Sequence, residues 1–284
     1  MKDLDRRNAI VTGCSSGVGP YIARELARQG VNIVAVARSK DKLEAVAKGL
    51  RGMGVQAVSV QADVTDPIGR QAIISQAEAE LGPIDILVNN ASQHYCGRLH
   101  KRTPEMIHAV IETNLLAPML LTRAVLPGML ERRSGHLVQM SSLAGKAGLP
   151  FLSLYGASKY GLVGFNHSLQ GELKGTGVRS TVVCPGFVSK DGMWARFNRR
   201  VHPGFGLNSL EAVARKVVRA IQQDKVEVLV NRLPVRPVIL LWALMPGLAS
   251  QVFGLIRVDS FMSGVGRQAE DESLSTTLPE ASTD

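Results

Sequence analysis

The sequence predicts an α/β protein organised around a doubly wound parallel sheet. Short apolar runs alternate with longer runs of helical periodicity between residues 8 and 230. The first apolar run leads through a glycine-rich turn into a helix, and several later runs end in small or polar residues. Strands that alternate with helices in this way form parallel sheets, and ligands bind at the carboxyl ends of their strands. We therefore expect a single domain with a ligand site at that edge.

The predicted strands are short and apolar, which suits strands that are buried on both faces. They are expected at Asn8–Thr12, Val31–Ala37, Gln56–Gln61, Ile84–Val88, Gly135–Met140, Arg179–Cys184 and Val226–Val230. Helical periodicity predicts helices at Tyr21–Gln29, Lys40–Arg51, Pro67–Leu81, Leu154–Leu173 and Ser209–Gln222, the last capped by Ser209. Between residues 103 and 131 we expect two helical pieces, interrupted near Pro118 and Pro127 because proline has no N–H to donate.

The composition fits a globular protein with a well-filled interior. Of the 284 residues, 45% are hydrophobic and 20% are charged. The net charge is +9, but the basic residues are dispersed, so we expect no nucleic-acid partner. Cys14, Cys96 and Cys184 are widely separated and predict reduced thiols, with neither a disulfide framework nor a metal site. The chain begins without an apolar segment of signal-peptide type, so we expect a cytoplasmic protein.

The turn at residues 12–19 has the sequence TGCSSGVG and lies between the first strand and the first helix. Its glycines would let the backbone approach a pyrophosphate at a helix N-terminus, although an ordinary tight turn is the alternative. The second strand ends in Ala37-Arg38-Ser39, with no acidic residue to bind ribose hydroxyls. Arginine suits the extra phosphate of NADP, so we favour NADP over NAD. A surface arginine at the start of the next helix is the alternative interpretation of Arg38.

The stretch from Ser142 to Lys159 carries residues suited to catalysis. Tyr155 and Lys159 are four residues apart, so on a helix they lie on one face. An ammonium close to a phenol favours the phenolate, and we expect it to lower the pKa of Tyr155 from about 10. Ser142 follows a predicted strand, and its hydroxyl would fix a carbonyl or alcohol oxygen beside that phenol. These three side chains predict proton transfer to and from oxygen, which requires a hydride carrier.

Three polar positions have two interpretations each. Asp63 follows the third strand and either contacts an adenine or helps to cap the helix that begins near Pro67. The Asn-Asn-Ala-Ser sequence at residues 89–92 either packs beside a cofactor or forms a plain turn. Asn114 lies in an otherwise apolar run, so it either links two segments or belongs to a polar network that reaches the site.

Taken together, these motifs resemble those of the classical short-chain dehydrogenase/reductase family over about residues 8 to 231. The motifs, in the order that the family has them, are TGCSSGVG at 12–19, NNAS at 89–92, Asn114, Ser142, YGASK at 155–159 and PG at 185–186. The resemblance implies a Rossmann fold and an NADP-dependent oxidoreductase that interconverts a ketone or aldehyde with an alcohol. It also implies a homodimer or homotetramer built partly on the helix that carries Tyr155. The rival is a non-catalytic NADP-binding scaffold or sensor, which would not need the catalytic residues.

The resemblance assigns roles to individual residues. Tyr155 is similar to the general acid/base, Lys159 to the residue that lowers the tyrosine pKa and holds the nicotinamide ribose, and Ser142 to the donor to the substrate oxygen. Ser141 is the alternative to Ser142, but the spacing to Tyr155 favours Ser142. Asn114 is similar to the residue that supports a water and proton relay. The cofactor would be lined by Gly13, Ser15, Ser16, Gly17, Val18, Gly19, Arg38, Asp63, Val64, Asn90, Ala91, Tyr155, Lys159, Pro185, Gly186 and Val188.

The C-terminal part departs from the regular alternation. Within the catalytic domain, expected at residues 1–233, the segment 189–207 corresponds to the lid of the resembling family. The aromatic residues that would shape an apolar pocket there, or pack the lid on the core, are Trp194, Phe197 and Phe205. An apolar helical extension is expected at 234–267 and a disordered acidic tail at 268–284.

Residues 237–256 form a charge-free apolar run between Arg236 and Arg257. Three arrangements fit this run: a helical pair that covers the substrate or packs in a dimer, a peripheral contact with a membrane surface, and a membrane span. We favour the helical pair, because Pro246 and Gly247 interrupt the run and it follows a finished sheet. The apolar character of this region also suggests a hydrophobic substrate.

Overall fold

Seven parallel strands form one sheet in the part of the chain that the structure describes. The structure, a computed structural model, describes residues 1–188 and 206–277. The strands are β1 (Asn8–Thr12), β2 (Asn32–Ala37), β3 (Ala57–Gln61), β4 (Ile86–Asn89), β5 (Gly135–Met140), β6 (Val178–Pro185) and β7 (Glu227–Val230). They lie in the order β3-β2-β1-β4-β5-β6-β7. The order reverses between β1 and β4, so the predicted doubly wound parallel sheet is confirmed.

Helices connect the strands and cover both faces of the sheet. They are α1 (Gly19–Ala27), α2 (Lys40–Arg51), α3 (Pro67–Leu81), α4 (Pro104–Ile111), α5 (Ala117–Glu131), α6 (Ser153–Glu172), α7 (Leu210–Gln222), α8 (Arg236–Leu244), α9 (Pro246–Leu255) and α10 (Val258–Thr277). The predicted bounds agree at α2 and α3, and those of α1, α6, α7 and the strands lie close to the observed ones. Ser209 caps α7 as predicted, since its hydroxyl accepts the Ala212 N–H at 3.1 Å.

Two apolar cores hold the helices against the sheet. Successive side chains of a strand point to opposite faces, so Val11 faces one core and Ile10 the other. Helices α1, α2 and α7 pack in the first core, and α3, α5 and α6 pack in the second. Burial of this apolar surface is the main stabilising contribution to the domain. Polar groups lie instead at the carboxyl edge of the sheet.

Residues 104–131 contain the two predicted helical pieces, α4 and α5, but they form one continuous run, and the predicted interruption near Pro127 is wrong. A π-helical turn at Glu112–Leu116 joins the two helices. Pro118 lies in the first turn of α5, and Pro127 lies inside α5 without ending it. A π turn changes the hydrogen-bonding pattern, so the missing N–H of Pro118 falls where the pattern already changes. Among the described residues, this run alone is long and apolar enough to cross a membrane, yet it packs on the sheet in the second core.

The apolar run at 237–256 folds into two short helices. Helices α8 and α9 have 9 and 10 residues and meet at Met245. A helix that crosses a bilayer needs about 20 residues. Neither helix is long enough, so the membrane span is excluded for this run, and the run is a helical pair.

Helix α10 occupies part of the predicted tail. The sequence predicts disorder at 268–284, whereas α10 continues to Thr277, so the prediction is wrong up to that residue. Val258, Met262 and Val265 follow helical spacing and are buried in a cluster with α9. Their burial holds the start of α10 in place, and each further helical residue then adds a backbone hydrogen bond.

A buried histidine lies near the start of β5. His136 is fully buried, and its Nε2 lies 2.8 Å from Thr181 Oγ1. Within the described part of the chain, its Nδ1 has no hydrogen-bond partner and lies 3.7 Å from Asp224 Oδ1. Burial lowers the pKa of His136 from 6.5 to about 3, and the charged N-terminus adds to this, while Asp224 acts in the opposite direction. The imidazole is therefore neutral in the folded protein at neutral pH.

We expect the free energy of unfolding to fall as the pH is lowered from 6.5 toward 3. In this range the unfolded chain binds a proton at His136 and the folded protein does not, so acid favours unfolding. One such proton adds about 1.4 kcal/mol per pH unit to the slope. Urea titrations across the range should show this slope reduced by about that amount in His136→Leu and kept in His100→Leu, an exposed control. Equal slopes in the wild type and His136→Leu would contradict the assignment.

Candidate active site

A cleft opens at the carboxyl ends of the central strands. Its volume is about 590 Å³, inside the range of roughly 300–1,000 Å³ that is usual for ligand pockets. The sequence-predicted site residues that line it are Gly13, Ser15, Ser16, Gly17, Val18, Arg38, Asp63, Val64, Asn90, Ala91, Ser142, Tyr155, Lys159, Pro185, Gly186 and Val188. Gly19 and Asn114 do not line it. The fold thus brings motifs from the whole domain to one place.

The turn between β1 and α1 requires glycine for two different reasons. Gly13 and Gly17 have φ angles of 68° and 61°, a region that residues with a Cβ rarely adopt. Gly19 is a packing residue beneath the turn, because a Cβ there would overlap the Gly13 carbonyl oxygen. Asn90, at the end of β4, donates from its side chain to the Thr12 carbonyl oxygen at 2.9 Å. The hydrogen bond from Asn90 therefore holds the turn in place, and the backbone of the turn faces the cleft.

Arg38 and Asp63 lie together at the β2–β3 end of the cleft. Arg38 Nη1 is 3.7 Å from Asp63 Oδ2, and the side chains are 74% and 39% exposed. Burial alone would raise the pKa of Asp63, but hydrogen bonds from Thr65 and the charge of Arg38 outweigh it, so the pKa is lowered. The helix cap is Asp66, which accepts two backbone N–H groups at the start of α3. The interpretation of Asp63 as that cap is wrong.

Three side chains meet near the middle of the cleft. Tyr155 and Lys159 lie one turn apart on α6, and Lys159 Nζ is 5.5 Å from the centre of the Tyr155 ring. The Ser142 hydroxyl lies beside the Tyr155 phenol and acts to lower its pKa, while it donates to the Pro185 carbonyl oxygen at 3.4 Å. Lys159 Nζ donates to the Met140 carbonyl oxygen at 2.8 Å. The neighbouring Ser141 uses its hydroxyl to donate to the Lys159 carbonyl oxygen at 2.9 Å, so Ser142 is the serine beside the phenol.

The expected lowering of the Tyr155 pKa is wrong for this structure. Burial raises the pKa of Tyr155 to about 12, although the hydrogen bond with Ser142 acts in the opposite direction. Burial also lowers the pKa of Lys159 to about 8. Both charged forms lose hydration in the cleft, and this loss is the largest cause of both pKa shifts. At neutral pH the phenol keeps its proton, and most of the Lys159 side chains are charged.

Asn114 lies behind the wall of the cleft. It is fully buried in the π turn. Its side-chain oxygen accepts the Gln93 N–H at 2.7 Å, and its amide donates to the Gln93 carbonyl oxygen at 2.7 Å and to the Ser158 hydroxyl at 3.0 Å. Ser158 in turn donates to the Tyr155 carbonyl oxygen at 2.7 Å. Asn114 therefore links the segment after β4 to α6, while its part in a proton relay stays a prediction.

Sequence patterns missed the residues at the opposite end of the cleft. These are Gln93, His94, Leu143, Leu149, Leu152 and Phe187. The His94 ring lies edge-on to the Tyr155 ring, with 6.4 Å between centroids. For Gln93, His94, Leu143 and Phe187 the available signal was position, since each follows a motif that the sequence analysis identified. Leu149 and Leu152 follow no such motif. The expected lid residues Trp194, Phe197 and Phe205 lie outside the described residues.

The C-terminal helices support the loop that forms this end of the cleft. Trp242 of α8 packs on Gly148, where a Cβ would lie 3.0 Å from the indole ring. Leu152 lines the cleft and is also buried in a cluster with Phe253 of α9. Leu149 lines the cleft and packs against the same cluster. The extension therefore shapes the cleft without lining it.

Comparison with known proteins identifies the family. A family model described as short chain dehydrogenase matches residues 7–201. The chain belongs to the short-chain dehydrogenase/reductase family. The resemblance stated from the motifs is thereby confirmed, and so is an NAD(P)-dependent oxidoreductase that acts on CH–OH groups.

Relatives of this short-chain dehydrogenase/reductase carry the names of reductases. The ketoacyl reductase HetN of Nostoc is 40% identical over 235 residues, which cover 83% of this chain and 82% of the relative. A solved actinorhodin polyketide ketoreductase variant with NADPH has a TM-score of 0.71 and 31% identity, and the match covers 81% of this chain and 97% of that one. A metagenomic short-chain oxidoreductase in complex with NADP has a TM-score of 0.69 and 34% identity, with coverage of 80% and 98%.

We expect Gly19→Ala to weaken NADPH binding by about tenfold or more, a loss of about 1.4 kcal/mol. The new methyl group would overlap the Gly13 carbonyl oxygen, so the turn must move away from the shape that suits a pyrophosphate. Gly49→Ala on α2 is the matched control, because a Cβ there meets no atom within 4 Å. Fluorescence titration gives the affinities, and thermal denaturation checks folding. Equal affinity in the two variants would show that the turn tolerates the change.

Proposed function

We propose that the protein uses NADPH to reduce a ketone in a hydrophobic, acyl-type compound to an alcohol. The observation that carries the proposal is the placement of Tyr155, one helical turn from Lys159 and beside Ser142, in the wall of the cleft. Reduction of a carbonyl needs a proton donor at its oxygen and a hydride donor to its carbon. The relatives named ketoacyl reductase and polyketide ketoreductase support the substrate class.

Residues of the cleft would hold the substrate oxygen and protonate it. The cofactor, held between the glycine-rich turn and Lys159, supplies the hydride when it is bound. The Ser142 hydroxyl donates a hydrogen bond to the carbonyl oxygen and so holds it beside the phenol. Tyr155 transfers its proton to that oxygen as negative charge develops there. The charged Lys159, 5.5 Å from the ring centre, stabilises the phenolate that is left.

The protonation state of the site supports reduction at neutral pH. A phenol with a pKa of about 12 starts the reaction as an acid, as reduction requires. Oxidation would have to start from the phenolate, which burial disfavours. Reduction therefore starts from the protonation state of Tyr155 that burial favours.

The end of β2 supports a preference for NADPH over NADH. Arg38 is 74% exposed, and its ion pair with Asp63 is long, at 3.7 Å, so a phosphate can compete for the guanidinium. Ser39 precedes α2, and its side chain makes no capping hydrogen bond there. The first N–H groups of α2 would then be available to an anion. The complexes of the solved neighbours with NADPH and NADP agree with this preference.

The lining of the cleft supports a hydrophobic substrate. The apolar residues beyond Tyr155 are Leu143, Leu149, Leu152 and Phe187. An acyl chain or ring placed against them would leave its carbonyl at Ser142. Removal of such apolar surface from water contributes roughly 25 cal/mol for each Å².

We also propose a homodimer or homotetramer that uses α5 and α6, in the cytoplasm. Met119 on α5 and Tyr160 on α6 are 38% and 41% exposed. Because α6 carries Tyr155, an assembly on these helices would also steady the catalytic side chain. The three cysteines are free and buried, which suits a reducing compartment.

We expect Tyr155→Phe to lower kcat by about a hundredfold to ten-thousandfold, the usual contribution of a general acid. NADPH affinity should change little, because the phenyl ring keeps its place in the cleft. Tyr160→Phe, five residues further along α6, removes only an exposed hydroxyl; it is the matched control and should keep full activity. Activity is measured as NADPH oxidation over ketones and aldehydes graded by chain length and ring size.

Two outcomes would contradict the proposed function. Turnover of Tyr155→Phe at the rate of the wild type would refute the role of the phenol. A wild type that binds NADPH but oxidises it with none of the carbonyl compounds would favour the non-catalytic scaffold.

We expect Arg38→Asp to shift cofactor preference from NADPH toward NADH. The aspartate removes the charge beside the phosphate site and restores an acid that can accept ribose hydroxyls. The ratio of kcat/KM for the two cofactors should fall by about tenfold or more, since a charge-assisted hydrogen bond contributes about 1.5–3 kcal/mol. Lys48→Asp, near the other end of α2, makes the same charge change and should leave the ratio near that of the wild type. An unchanged ratio in Arg38→Asp would remove Arg38 from the phosphate site.

A further inference from the structure

Exposed apolar side chains concentrate on and around α8 and α9. Of the 17 large hydrophobic residues that are exposed in the described part of the chain, eight lie between residues 233 and 256. We call them the apolar patch: Leu233, Val238, Leu240, Leu244, Met245, Leu248, Leu255 and Ile256. Single exposed apolar residues are normal in proteins, whereas a concentration of them marks an interaction surface.

Helix α8 is unusual because it is apolar on every side and yet has no buried residue. After Arg236 its sequence is PVILLWAL. A helix that is hydrophobic all round is normally covered by protein or by lipid. Its inward contacts include those of half-buried Trp242, which packs on Gly148 and lies 5.1 Å from the Phe253 ring of α9. The inner side of the pair is therefore anchored to the domain, and the patch faces outward.

The charges around the patch decide between two kinds of partner. Arg232, Arg236 and Arg257 are exposed beside it, and the sequence has no Asp or Glu from residue 228 to residue 258. Anionic phospholipid headgroups complement such a rim. A second copy that used the same patch in a symmetric contact would instead bring the arginines of both copies together, and like charges repel.

We propose that α8 and α9 lie in the surface of an anionic phospholipid bilayer. The apolar patch enters the boundary with the acyl chains, and the three arginines contact the headgroups. At a rise of about 1.5 Å per residue the helices are too short to cross the bilayer but suited to lying along its surface. Binding of this kind does not depend on the proposed reaction.

Because of where the apolar patch lies, a contact with the bilayer would affect how a substrate reaches the cleft. Trp242 and Phe253 connect α8 and α9 to the loop that carries Leu149 and Leu152 at the end of the cleft. The bilayer would therefore lie near the apolar end of the site. A hydrophobic carbonyl compound dissolved in the membrane would then reach Tyr155 without crossing water.

Flotation of the full-length protein with vesicles tests the proposal. We expect recovery with vesicles of phosphatidylcholine that contain about one third phosphatidylglycerol, less recovery with phosphatidylcholine alone, and loss of the difference at high salt. Leu244→Glu combined with Leu248→Glu should weaken binding by about tenfold or more, because two apolar side chains no longer enter the bilayer. Ile68→Glu on α3, where the side chain is 80% exposed, is the matched control and should bind as the wild type does.

The arginines have their own variants. Arg236→Gln and Arg257→Gln should each weaken binding to the anionic vesicles by about fivefold and leave binding to phosphatidylcholine alone unchanged. NADPH affinity and thermal denaturation check that every variant is folded. Failure of the wild type to float with either vesicle would overturn the proposal, and so would binding that survives the double Leu→Glu change. If the double change lowers the molar mass in solution while the wild type does not float, the patch is a contact between copies and the proposal is wrong.

Discussion

The hydrogen bond from the Lys159 ammonium to the Met140 carbonyl oxygen is the contact on which the site depends. Met140 ends β5, so this bond fixes α6 to the carboxyl edge of the sheet, and the bond from Ser141 to the Lys159 carbonyl oxygen fixes it again. With α6 held in this way, Tyr155 is placed beside Ser142. A buried ammonium is costly unless it is hydrogen-bonded. The same burial strengthens its attraction for a phenolate, so one arrangement both holds the helix and suits the proposed proton transfer.

The order and type of the elements could be predicted because apolar periodicity reports directly on burial. The bounds of β1, α2, α3 and β5 followed from that signal alone. Prediction failed where the deciding contact comes from elsewhere in the chain. The π turn is stabilised by bonds from Asn114 to residues far away in sequence, so proline was given too much weight. In α10, the acidic composition after residue 267 predicted disorder, whereas the helix continues to Thr277 from a first part that packs against α9 through Val258, Met262 and Val265.

The residues of the candidate site also divide into those that the sequence predicted and those that it missed. Motif spacing identified Ser142, Tyr155 and Lys159, because strand ends and helix turns set the places of those side chains. A spacing of four residues says which groups are close but not how much water surrounds them, and burial reversed the expected shift of the Tyr155 pKa. The apolar end of the cleft was missed because Leu149 and Leu152 lie in a loop without periodicity. Their position is set by the C-terminal helices, which no local pattern connects with them.

The packing of Trp242 on Gly148 has an evolutionary consequence. The proposed proton transfer uses residues between 140 and 159, whereas the helices that support the opposite end of the cleft begin at Arg236. Changes in the C-terminal helices can therefore alter which molecules fit while the catalytic geometry stays the same. Gly148 sets the limit to that freedom, because any larger residue there meets the indole ring. The residues that shape the cleft for a substrate and the residues proposed for the reaction can therefore change separately. Gly148 is the exception, because its size must suit Trp242.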